Sequence, residues 1–259
     1  MAGMPAMEAV ADYMRPRLVV LDEIDSTNAE ALRRGASGER GPVWLMAKRQ
    51  TGGRGRYGRY WASEPGNLYT TLLMSAPAGN PHVANLSFVA ALALYDALAE
   101  ILDEAGRAKL RLKWPNDVLI AGAKTSGILL EAQPLPDQGL MSLALGFGVN
   151  ISHRPEGALP YATTFIAEHG ARVTPRELLD ALMAHFAHWY GVWSEANTFQ
   201  PIRAAWCSRA QGIGAPILVR FQNEAIEGIF EDLDEEGALI LRLPDGGRRK
   251  VLAGDVFFR

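Results

Sequence analysis

Residues 50–61 read Gln-Thr-Gly-Gly-Arg-Gly-Arg-Tyr-Gly-Arg-Tyr-Trp. Whether this stretch is a dinucleotide-binding turn or a loop between strands decides the fold class. Gly53 to Gly58 satisfies the spacing G-x-G-x-x-G of a dinucleotide-binding turn, which needs a long helix directly after the last glycine. The chain instead continues through a Ser-Glu-Pro-Gly-Asn segment at 63–67, which has no helical periodicity. The stretch therefore predicts a glycine-rich loop between strands and argues against a doubly wound dinucleotide-binding fold.

The same loop carries three arginines, Arg54, Arg56 and Arg59, among its glycines. Glycine lets the backbone approach a ligand closely, because it has no Cβ atom. Guanidinium groups bind phosphate and carboxylate groups through two parallel hydrogen bonds. On the residues alone, an anion-binding loop and a flexible, solvated basic loop are both open.

Strand and helix patterns on both sides of the loop predict an α+β fold. Short runs rich in β-branched and other apolar residues predict strands at 18–22, 43–48, 68–74, 109–114, 118–121, 126–133 and 141–151. Helical periodicity and capping residues predict helices at 27–35, 83–106 and 174–193. These elements indicate a mixed β-sheet flanked by helices.

The C-terminal part of the chain has a different pattern. Five short apolar runs between 217 and 258 alternate with turn signals such as Asp245-Gly-Gly247. Closely spaced short strands of this kind predict a small β-barrel of SH3-like size. The domain boundary is expected near 212, after a helix that holds Trp206 and Cys207, which gives domains at 1–211 and 212–259.

Composition limits the class of protein. The chain has 259 residues, of which 48% are hydrophobic and 21% charged, so it can bury a sizeable core. Its net charge of −3 gives no global signal for nucleic acid or an anionic membrane, and any basic site must be local. A single cysteine, Cys207, excludes an intrachain disulfide and a multi-cysteine zinc cluster. This composition suits the cytoplasm.

No targeting or membrane segment is expected. The first twenty residues lack a basic start followed by a continuous apolar run, and Glu8 and Asp12 interrupt them. The apolar region 83–102 is also broken by polar residues, and its apolar positions repeat with helical spacing. It therefore predicts a buried amphipathic helix.

Four further motifs combine small, amide and charged residues at the ends of predicted elements. They are Ser26-Thr27-Asn28 at a helix start, Lys113-Trp-Pro-Asn-Asp117 after a strand, Lys124 in a hairpin turn, and Gly146-Phe-Gly148-Val-Asn150 at a strand end. Each has a structural alternative: helix capping, a proline-terminated strand with a solvated ion pair, an ordinary turn, and a bulge or tight bend. Lys124 does not belong to a phosphate-binding P-loop, because position 123 is alanine instead of glycine and no glycine stands five residues before that position.

In order and spacing, the motifs taken together resemble the biotin protein ligase family. The matching segments are Asp25-Ser-Thr-Asn28, the loop from Gln50 to Trp61, Lys113-Trp-Pro-Asn-Asp117, Lys124-x-x-Gly-Ile-Leu-Leu-Glu131 and Gly146-x-Gly-Val-Asn150. The resemblance covers residues 18–155 and the small β tail, and it implies a class II synthetase-like catalytic sheet. Only about twenty residues precede Leu18, too few for the winged helix-turn-helix of members that repress transcription. We therefore expect the short, enzyme-only form, without DNA or membrane partners, as a monomer or homodimer.

The resemblance implies two half-reactions. The carboxylate of biotin attacks the α-phosphate of ATP, which gives biotinyl-5′-adenylate and pyrophosphate. A lysine of a biotin carboxyl carrier protein, such as that of acetyl-CoA carboxylase, then attacks the adenylate and releases AMP. Mg²⁺ is expected with ATP, held mostly by phosphates and water, with no metal cluster from the protein.

Residue roles follow from the same resemblance. Biotin would be bound by Ser26, Thr27, Asn28, Gln50, Arg54, Gly55, Arg56 and Lys124. ATP and the adenylate would be bound by Arg56, Arg59, Trp61, Lys113, Asn116, Gly148 and Asn150. The catalytic residues would be Lys113, Arg54 and Asp117, with Lys113 between carboxylate and α-phosphate and Asp117 orienting or deprotonating the incoming lysine.

Two alternative functions remain at this point. A lipoate or octanoate ligase or transferase shares the catalytic fold, but the arginine loop followed by Lys-Trp-Pro-Asn-Asp favours biotin. A nucleic-acid-binding module could use the arginine loop and the β tail, but the net charge of −3 argues against it.

Overall fold

The computed structural model describes residues 17–135, 139–157, 159–196, 198–221 and 224–258. The strands of the part before residue 212 are β1 Arg17–Ile24, β2 Val43–Gln50, β3 Leu68–Pro77, β4 Leu110–Lys113, β5 Asp117–Ile120, β6 Ala123–Leu135 and β7 Leu140–Val149. The helices are α1 Thr27–Ala36, α2 Leu86–Ile101, α3 Glu104–Ala108, α4 Pro175–Ala196 and α5 Gln200–Arg209. The C-terminal strands are β8 Pro216–Arg220, β9 Ala225–Leu233, β10 Leu239–Arg242, β11 Arg248–Val251 and β12 Asp255–Phe258.

Seven strands form one mixed sheet in the order β1-β2-β3-β7-β6-β5-β4. Strands β1 and β2 are parallel, and the other neighbouring pairs are antiparallel. The sequence-based prediction of an α+β fold with a mixed sheet and flanking helices is therefore confirmed.

The two faces of this sheet are covered by different helices. On β2, Val43 and Leu45 pack with Ala31 of α1, whereas Trp44 and Met46 belong to the large core on the opposite face. This alternation follows from the two-residue period of a strand. On the large-core face, the ring of Phe186 on α4 meets Trp44 edge-on, with 5.8 Å between the ring centroids.

The predicted helix 83–106 is interrupted in the structure. A 3-10 turn at Val83–Asn85 precedes α2, and α3 starts separately at Glu104. The Asp103 side chain accepts a hydrogen bond from Gly106 N at 2.7 Å and so caps a new helix. Helix 83–101 is long and apolar enough to cross a membrane, but most of it is buried in the core, as predicted. The N-terminal segment before residue 17 lies outside the described residues.

The C-terminal strands form one antiparallel sheet in the order β11-β10-β9-β8-β12. In the part of the chain that the structure describes, β11 and β12 each pair with one neighbour only, so the sheet is not the closed barrel that the strand spacing predicted. Strand spacing and turn residues predict the number of strands but carry no information on whether the two edges meet. The open edge at β12 instead faces the arginine loop, where Asp255 contacts Arg59.

The C-terminal sheet packs directly on the part of the chain that forms the seven-stranded sheet. Trp114 Nε1 donates a hydrogen bond to Gly237 O at 3.0 Å, and Arg203 Nε donates to Leu233 O at 2.6 Å. Gly237 has a φ of +87°, and a Cβ atom there would lie 2.5 Å from Phe88 Cε2. Buried side chains of both parts form one continuous hydrophobic core, which fixes the sheet against the mouth of the site described next.

Candidate active site

A cavity of about 400 Å³ lies between the start of α1, the arginine loop, strands β5 to β7 and the C-terminal sheet. Fourteen of the fifteen site residues predicted from the sequence line it, and Asn150 is the exception. The lining residues that were predicted are Ser26, Thr27, Asn28, Gln50, Arg54, Gly55, Arg56, Arg59, Trp61, Lys113, Asn116, Asp117, Lys124 and Gly148.

One end of the cavity is neutral and rich in hydrogen-bonding groups. Thr27 N and Thr27 Oγ1 both donate to Gln50 Oε1, at 2.8 and 3.0 Å. Gln50 Nε2 in turn donates to Ser63 Oγ at 3.0 Å, and Ser26 caps α1. Ser26, Thr27 and Gln50 are all buried, so this network holds their polar atoms in fixed positions.

The side-chain NH₂ group of Asn28 already donates its hydrogen bonds to other residues of the protein. Its Nδ2 atom donates to Glu131 Oε2 at 2.8 Å and to Leu129 O at 3.2 Å. Its Oδ1 atom accepts a hydrogen bond from Thr71 Oγ1 at 2.6 Å. A Cβ atom at position 146 would lie 2.1 Å from Asn28 Oδ1, which explains the need for Gly146. A ligand can therefore use only the remaining acceptor capacity of the Asn28 side chain.

The first two arginines of the loop are held by different parts of the chain. Arg54 makes a bidentate ion pair with Glu131, in which Nη2 lies 3.0 and 3.3 Å from the two carboxylate oxygens. Arg56 Nη1 donates to Asn116 Oδ1 at 3.3 Å, and Arg56 Nη2 donates to Gly254 O at 3.2 Å. The loop is thus fixed to β6 on one side and to the C-terminal sheet on the other.

The third arginine, Arg59, makes an ion pair with Asp255 at the start of β12. The hydrogen bond to the Asp255 carboxylate raises the pKa of the Arg59 guanidinium group. A main-chain hydrogen bond of 2.7 Å from Gly55 N to Arg59 O closes the loop on itself. Asp255 therefore connects the C-terminal sheet to the arginine loop.

We expect the Asp255→Asn variant to loosen the loop, because it removes the charge that holds Arg59. Both partners are partly exposed, at 49% and 30% for their side chains, so the ion pair is worth up to about 1 kcal/mol. Trypsin cleavage after the loop arginines should therefore accelerate about threefold to fivefold. Glu224→Gln, which removes a similar exposed ion pair with Arg249 in the same sheet, is the control. Equal cleavage rates in both variants would show that Asp255 does not restrain the loop.

Lys113 lies at the end of β4, facing the cavity. Burial lowers the pKa of its ammonium group below that of an ordinary lysine, Asp117 raises it again, and the nearby Lys124 lowers it. The Nζ atom also lies 5.6 and 5.9 Å from the ring centres of Phe257 and Phe258. The group is a poorly solvated cation, which interacts strongly with any anion that enters.

Asp117 is paired with Lys124, with 2.7 Å between Oδ1 and Nζ, and both side chains are only 15% exposed. The Lys124 ammonium group also lies 5.4 Å from the Trp61 ring centre and 5.2 Å from that of Tyr161. This pairing fits an orienting role for Asp117. The carboxylate would act as a base only after exchanging Lys124 for another partner.

Trp61 forms one wall of the cavity, and two glycines leave room for its ring. A Cβ atom at Gly148 would lie 2.5 Å from Trp61 Cε2, and one at Gly127 would lie 3.2 Å from Trp61 Cζ3. The indole Nε1 of Trp61 is buried without a hydrogen-bond partner among the described residues. A buried donor of this kind at a cavity wall is suited to a ligand acceptor.

Asn150 lies behind the wall of the cavity. It is buried, and its Nδ2 atom donates to Thr164 O at 3.1 Å. Its main chain bonds Thr125 O and Ile166 N, at 2.8 and 3.0 Å. The structure therefore places Asn150 in the support of β7 and the segment after it, and its predicted contact with ATP or the adenylate stays a prediction.

Sequence reasoning missed several lining residues. These are Tyr60, Gly127, Ile128, Leu129, Phe147, Pro160, Tyr161, Arg220, Phe221, Asp255 and Phe257. The last four belong to the C-terminal sheet, and no local motif marks them, because only the packing of that sheet brings them to the cavity. Glu131, which holds Arg54 and Asn28, was part of a matched motif, and its carboxylate in a strand was the available signal.

The cavity offers few ligands for a metal ion. No group of three or more histidine, cysteine, aspartate or glutamate side chains suited to a metal occurs in the described ranges. Asp117 and Asp255, the two cavity carboxylates, are paired with Lys124 and Arg59. This donor set fits a magnesium ion carried mainly by nucleotide phosphates and water.

Comparison with known proteins gives a consistent picture. The profile of the "Biotin/lipoate A/B protein ligase family" matches residues 21–150, and that of the "Biotin protein ligase C terminal domain" matches residues 212–259. The chain is 46% identical to the biotin--[acetyl-CoA-carboxylase] ligase of Paracoccus denitrificans, over 92% of this chain and 99% of that protein. It is 35% identical to the enzyme of the same name from Mycobacterium tuberculosis, over 93% and 88% of the two chains. The solved biotin protein ligase from Aquifex aeolicus in complex with biotin and ATP superposes with a TM-score of 0.75 at 28% identity, covering 94% of this chain and 98% of that one.

Proposed function

The chain belongs to the biotin protein ligase family, and from this premise we propose that it activates biotin with ATP and transfers it to a lysine of a biotin carboxyl carrier protein. The observation that carries the proposal is that one cavity joins a neutral hydrogen-bonding end to a strongly cationic centre. Biotin has the complementary polarity, with a neutral ureido ring at one end and a carboxylate at the other.

The neutral end is proposed to bind the ureido ring. Ser26, Thr27 and Gln50 offer hydroxyl, main-chain and amide groups held by the network from Gln50 to Ser63. Asn28 contributes through its acceptor and by holding Glu131 in place against Arg54. A rigid, mostly satisfied network discriminates well, because a ligand without the matching groups leaves buried polar atoms unpaired.

The cationic centre is proposed to bring two anions together. A carboxylate oxygen of biotin attacks the α-phosphorus of ATP, the bond from that phosphorus to the bridging oxygen breaks, and pyrophosphate leaves. Lys113 and Arg56 are proposed to bind the carboxylate and the α-phosphate, where their charges would stabilise the negative charge of the transition state. Magnesium bound to the phosphates would neutralise part of their charge. The aromatic faces of Trp61 and Tyr161 beside Lys124 provide surfaces for the adenine ring.

In the second half-reaction, the ε-amine of the carrier lysine attacks the carbonyl carbon of the adenylate. An amide bond forms, the bond from the carbonyl carbon to the phosphate oxygen breaks, and AMP leaves. The amine must also lose a proton. Asp117 is proposed to orient the amine, and to accept the proton if Lys124 exchanges places with it.

Several finer features are part of the same proposal. The carrier is taken to be that of acetyl-CoA carboxylase, the reaction cytoplasmic, and the enzyme a monomer or homodimer that does not act on DNA. The net charge of −3 supports the last point. The domain division at 211/212 is supported by the start of β8 at Pro216.

The direct test of the first half-reaction is exchange of radiolabelled pyrophosphate into ATP. The proposal requires exchange that depends on biotin and needs no carrier protein. Exchange that is supported by lipoate or octanoate but not by biotin would identify the chain as a lipoate or octanoate ligase instead.

The proposed role of the neutral end predicts that the Gln50→Leu variant binds biotin more weakly. The variant removes an amide that is proposed to contact the ureido ring and the acceptor that positions Thr27 N and Thr27 Oγ1, and a buried ligand group left without its partner costs about 1 to 3 kcal/mol of binding free energy. Biotin binding, measured by calorimetry, should weaken about 30-fold. Thr70→Val, which removes a buried hydrogen bond to Leu45 O away from the cavity, is the matched control for general destabilisation. Equal affinities in Gln50→Leu and in the unaltered protein would remove Gln50 and Thr27 from the biotin site.

A further inference from the structure

Arg220, at the end of β8, is a cavity-lining cation that neither the motifs nor the proposed chemistry has used. We propose that Arg220 binds the β- and γ-phosphates of ATP and orients pyrophosphate as it leaves. The inference rests on the proposed function, since it assigns the distal phosphates of the nucleotide that the same site uses.

The position of Arg220 relative to Lys113 supports this assignment. The Arg220 guanidinium carbon lies 4.7 Å from the ring centre of Phe257, and Lys113 Nζ lies 5.6 Å from the same ring centre. The two cations are therefore no more than about 10 Å apart, with an aromatic ring as a shared support. If Lys113 binds the α-phosphate, Arg220 lies close enough to bind the β- and γ-phosphates.

Arg220 is also the cavity arginine with free bonding capacity. Arg54, Arg56 and Arg59 all have hydrogen bonds or ion pairs with the protein. For Arg220, the described residues provide a ring contact but no hydrogen bond or ion pair for its side chain. Asp255 stands directly opposite Arg220 in the pairing of β8 with β12, yet its carboxylate is taken by Arg59.

The chemistry of the guanidinium group fits the distal phosphates. Its planar fork matches two phosphate oxygens at once, and stacking on Phe257 limits the entropy that is lost on binding. Since the β- and γ-phosphates are present only in the first half-reaction, Arg220 should contribute to adenylation and not to transfer. Because Arg220 belongs to strand β8, the C-terminal sheet would take a direct part in ATP binding.

The test compares Arg220→Gln with the unaltered full-length protein. We expect the KM for ATP and the KM for pyrophosphate in the exchange reaction to rise about tenfold, since a hydrogen-bonded charge pair at a partly screened rim is lost. Calorimetry should show weaker ATP binding but unchanged AMP and biotin binding. Transfer of biotin from chemically prepared biotinyl-5′-adenylate to the carrier should stay within about twofold.

Arg248→Gln is the control, because Arg248 is an exposed arginine of the same sheet that pairs with Glu231 and does not line the cavity. It should leave every one of these parameters unchanged. An unchanged affinity for ATP in Arg220→Gln, or equal losses in adenylation and in transfer, would overturn the assignment. If the unaltered protein shows no biotin-dependent exchange, the proposed function fails and this inference fails with it, whereas normal exchange with an unaffected Arg220→Gln variant rejects only the inference.

Discussion

Replacing Lys113 by alanine is expected to slow the adenylation of biotin about 100-fold, which corresponds to roughly 3 kcal/mol of lost transition-state stabilisation. Lys113 is half-buried at the end of β4, where Pro115 ends the strand, and burial lowers the pKa of its ammonium group. As the biotin carboxylate approaches the α-phosphate, negative charge accumulates between two groups that repel each other. A fixed, poorly solvated cation interacts more strongly with that transition state than with the separated substrates. The measurement is biotin-dependent pyrophosphate exchange.

Biotin binding should fall much less in the same variant, because the network around Thr27 and Gln50 remains. Lys113→Arg keeps the charge but displaces it, and should restore little activity. Lys109→Ala, an exposed lysine just before β4, is the matched control and should behave like the unaltered protein. Because only the ammonium form of Lys113 is active and burial lowers its pKa, adenylation should decline at alkaline pH earlier than for an ordinary lysine. Exchange in Lys113→Ala within a few-fold of normal would show that Lys113 is a strand-end lysine without a catalytic role.

Gly148→Ala is the second large effect that we expect. The new Cβ atom would lie 2.5 Å from Trp61 Cε2 and 2.6 Å from Trp61 Nε1, so the ring must leave its place against β7. Displacing a packed ring costs about 1 to 3 kcal/mol, and the proposed ATP site loses one wall, so the KM for ATP should rise about 30-fold.

Gly127→Ala is a graded control for this change. Its Cβ atom would lie 3.2 Å from Trp61 Cζ3 and 3.2 Å from Nζ of the flexible Lys124 side chain. Small movements of both side chains relieve these contacts, so we expect a change of about threefold or less. Thermal unfolding of both variants separates loss of the site from loss of the fold. A Gly148→Ala variant with a normal KM for ATP would show that the position of Trp61 does not matter for the nucleotide.

The sequence predicted those parts of the site that lie in contiguous motifs. Lys113 and Asp117 flank a proline that ends a strand, and Ser26 caps a helix, so their local geometry follows from their neighbours in the chain. Arg220, Asp255 and Phe257 could not be found in this way. They reach the cavity only because Trp114 and Arg203 fix the C-terminal sheet against the catalytic part.

Two positions differ from what the sequence pattern alone indicates. Asn150 follows the last residue of β7, and its Nδ2 atom donates a hydrogen bond to Thr164 O behind the wall of the cavity. The helix predicted over 83–106 gave too little weight to Asp103, whose side chain starts a new helix instead of continuing the old one. In both cases a side-chain hydrogen bond that the pattern does not show determines the observed structure.

The central claim is transfer of biotin to a carrier lysine through an adenylate, and mass spectrometry of a carrier fragment tests it most directly. The fragment is incubated with the full-length protein, biotin, ATP and Mg²⁺, and the released nucleotide is analysed in the same sample. We expect the fragment to gain the mass of one biotinyl group on a single lysine, with one AMP formed for each group attached, and neither change when the Lys113→Ala variant replaces the protein over the same short time. A fragment of unchanged mass, or one that gains a lipoyl or octanoyl group when those acids are supplied but never a biotinyl group, would contradict the account.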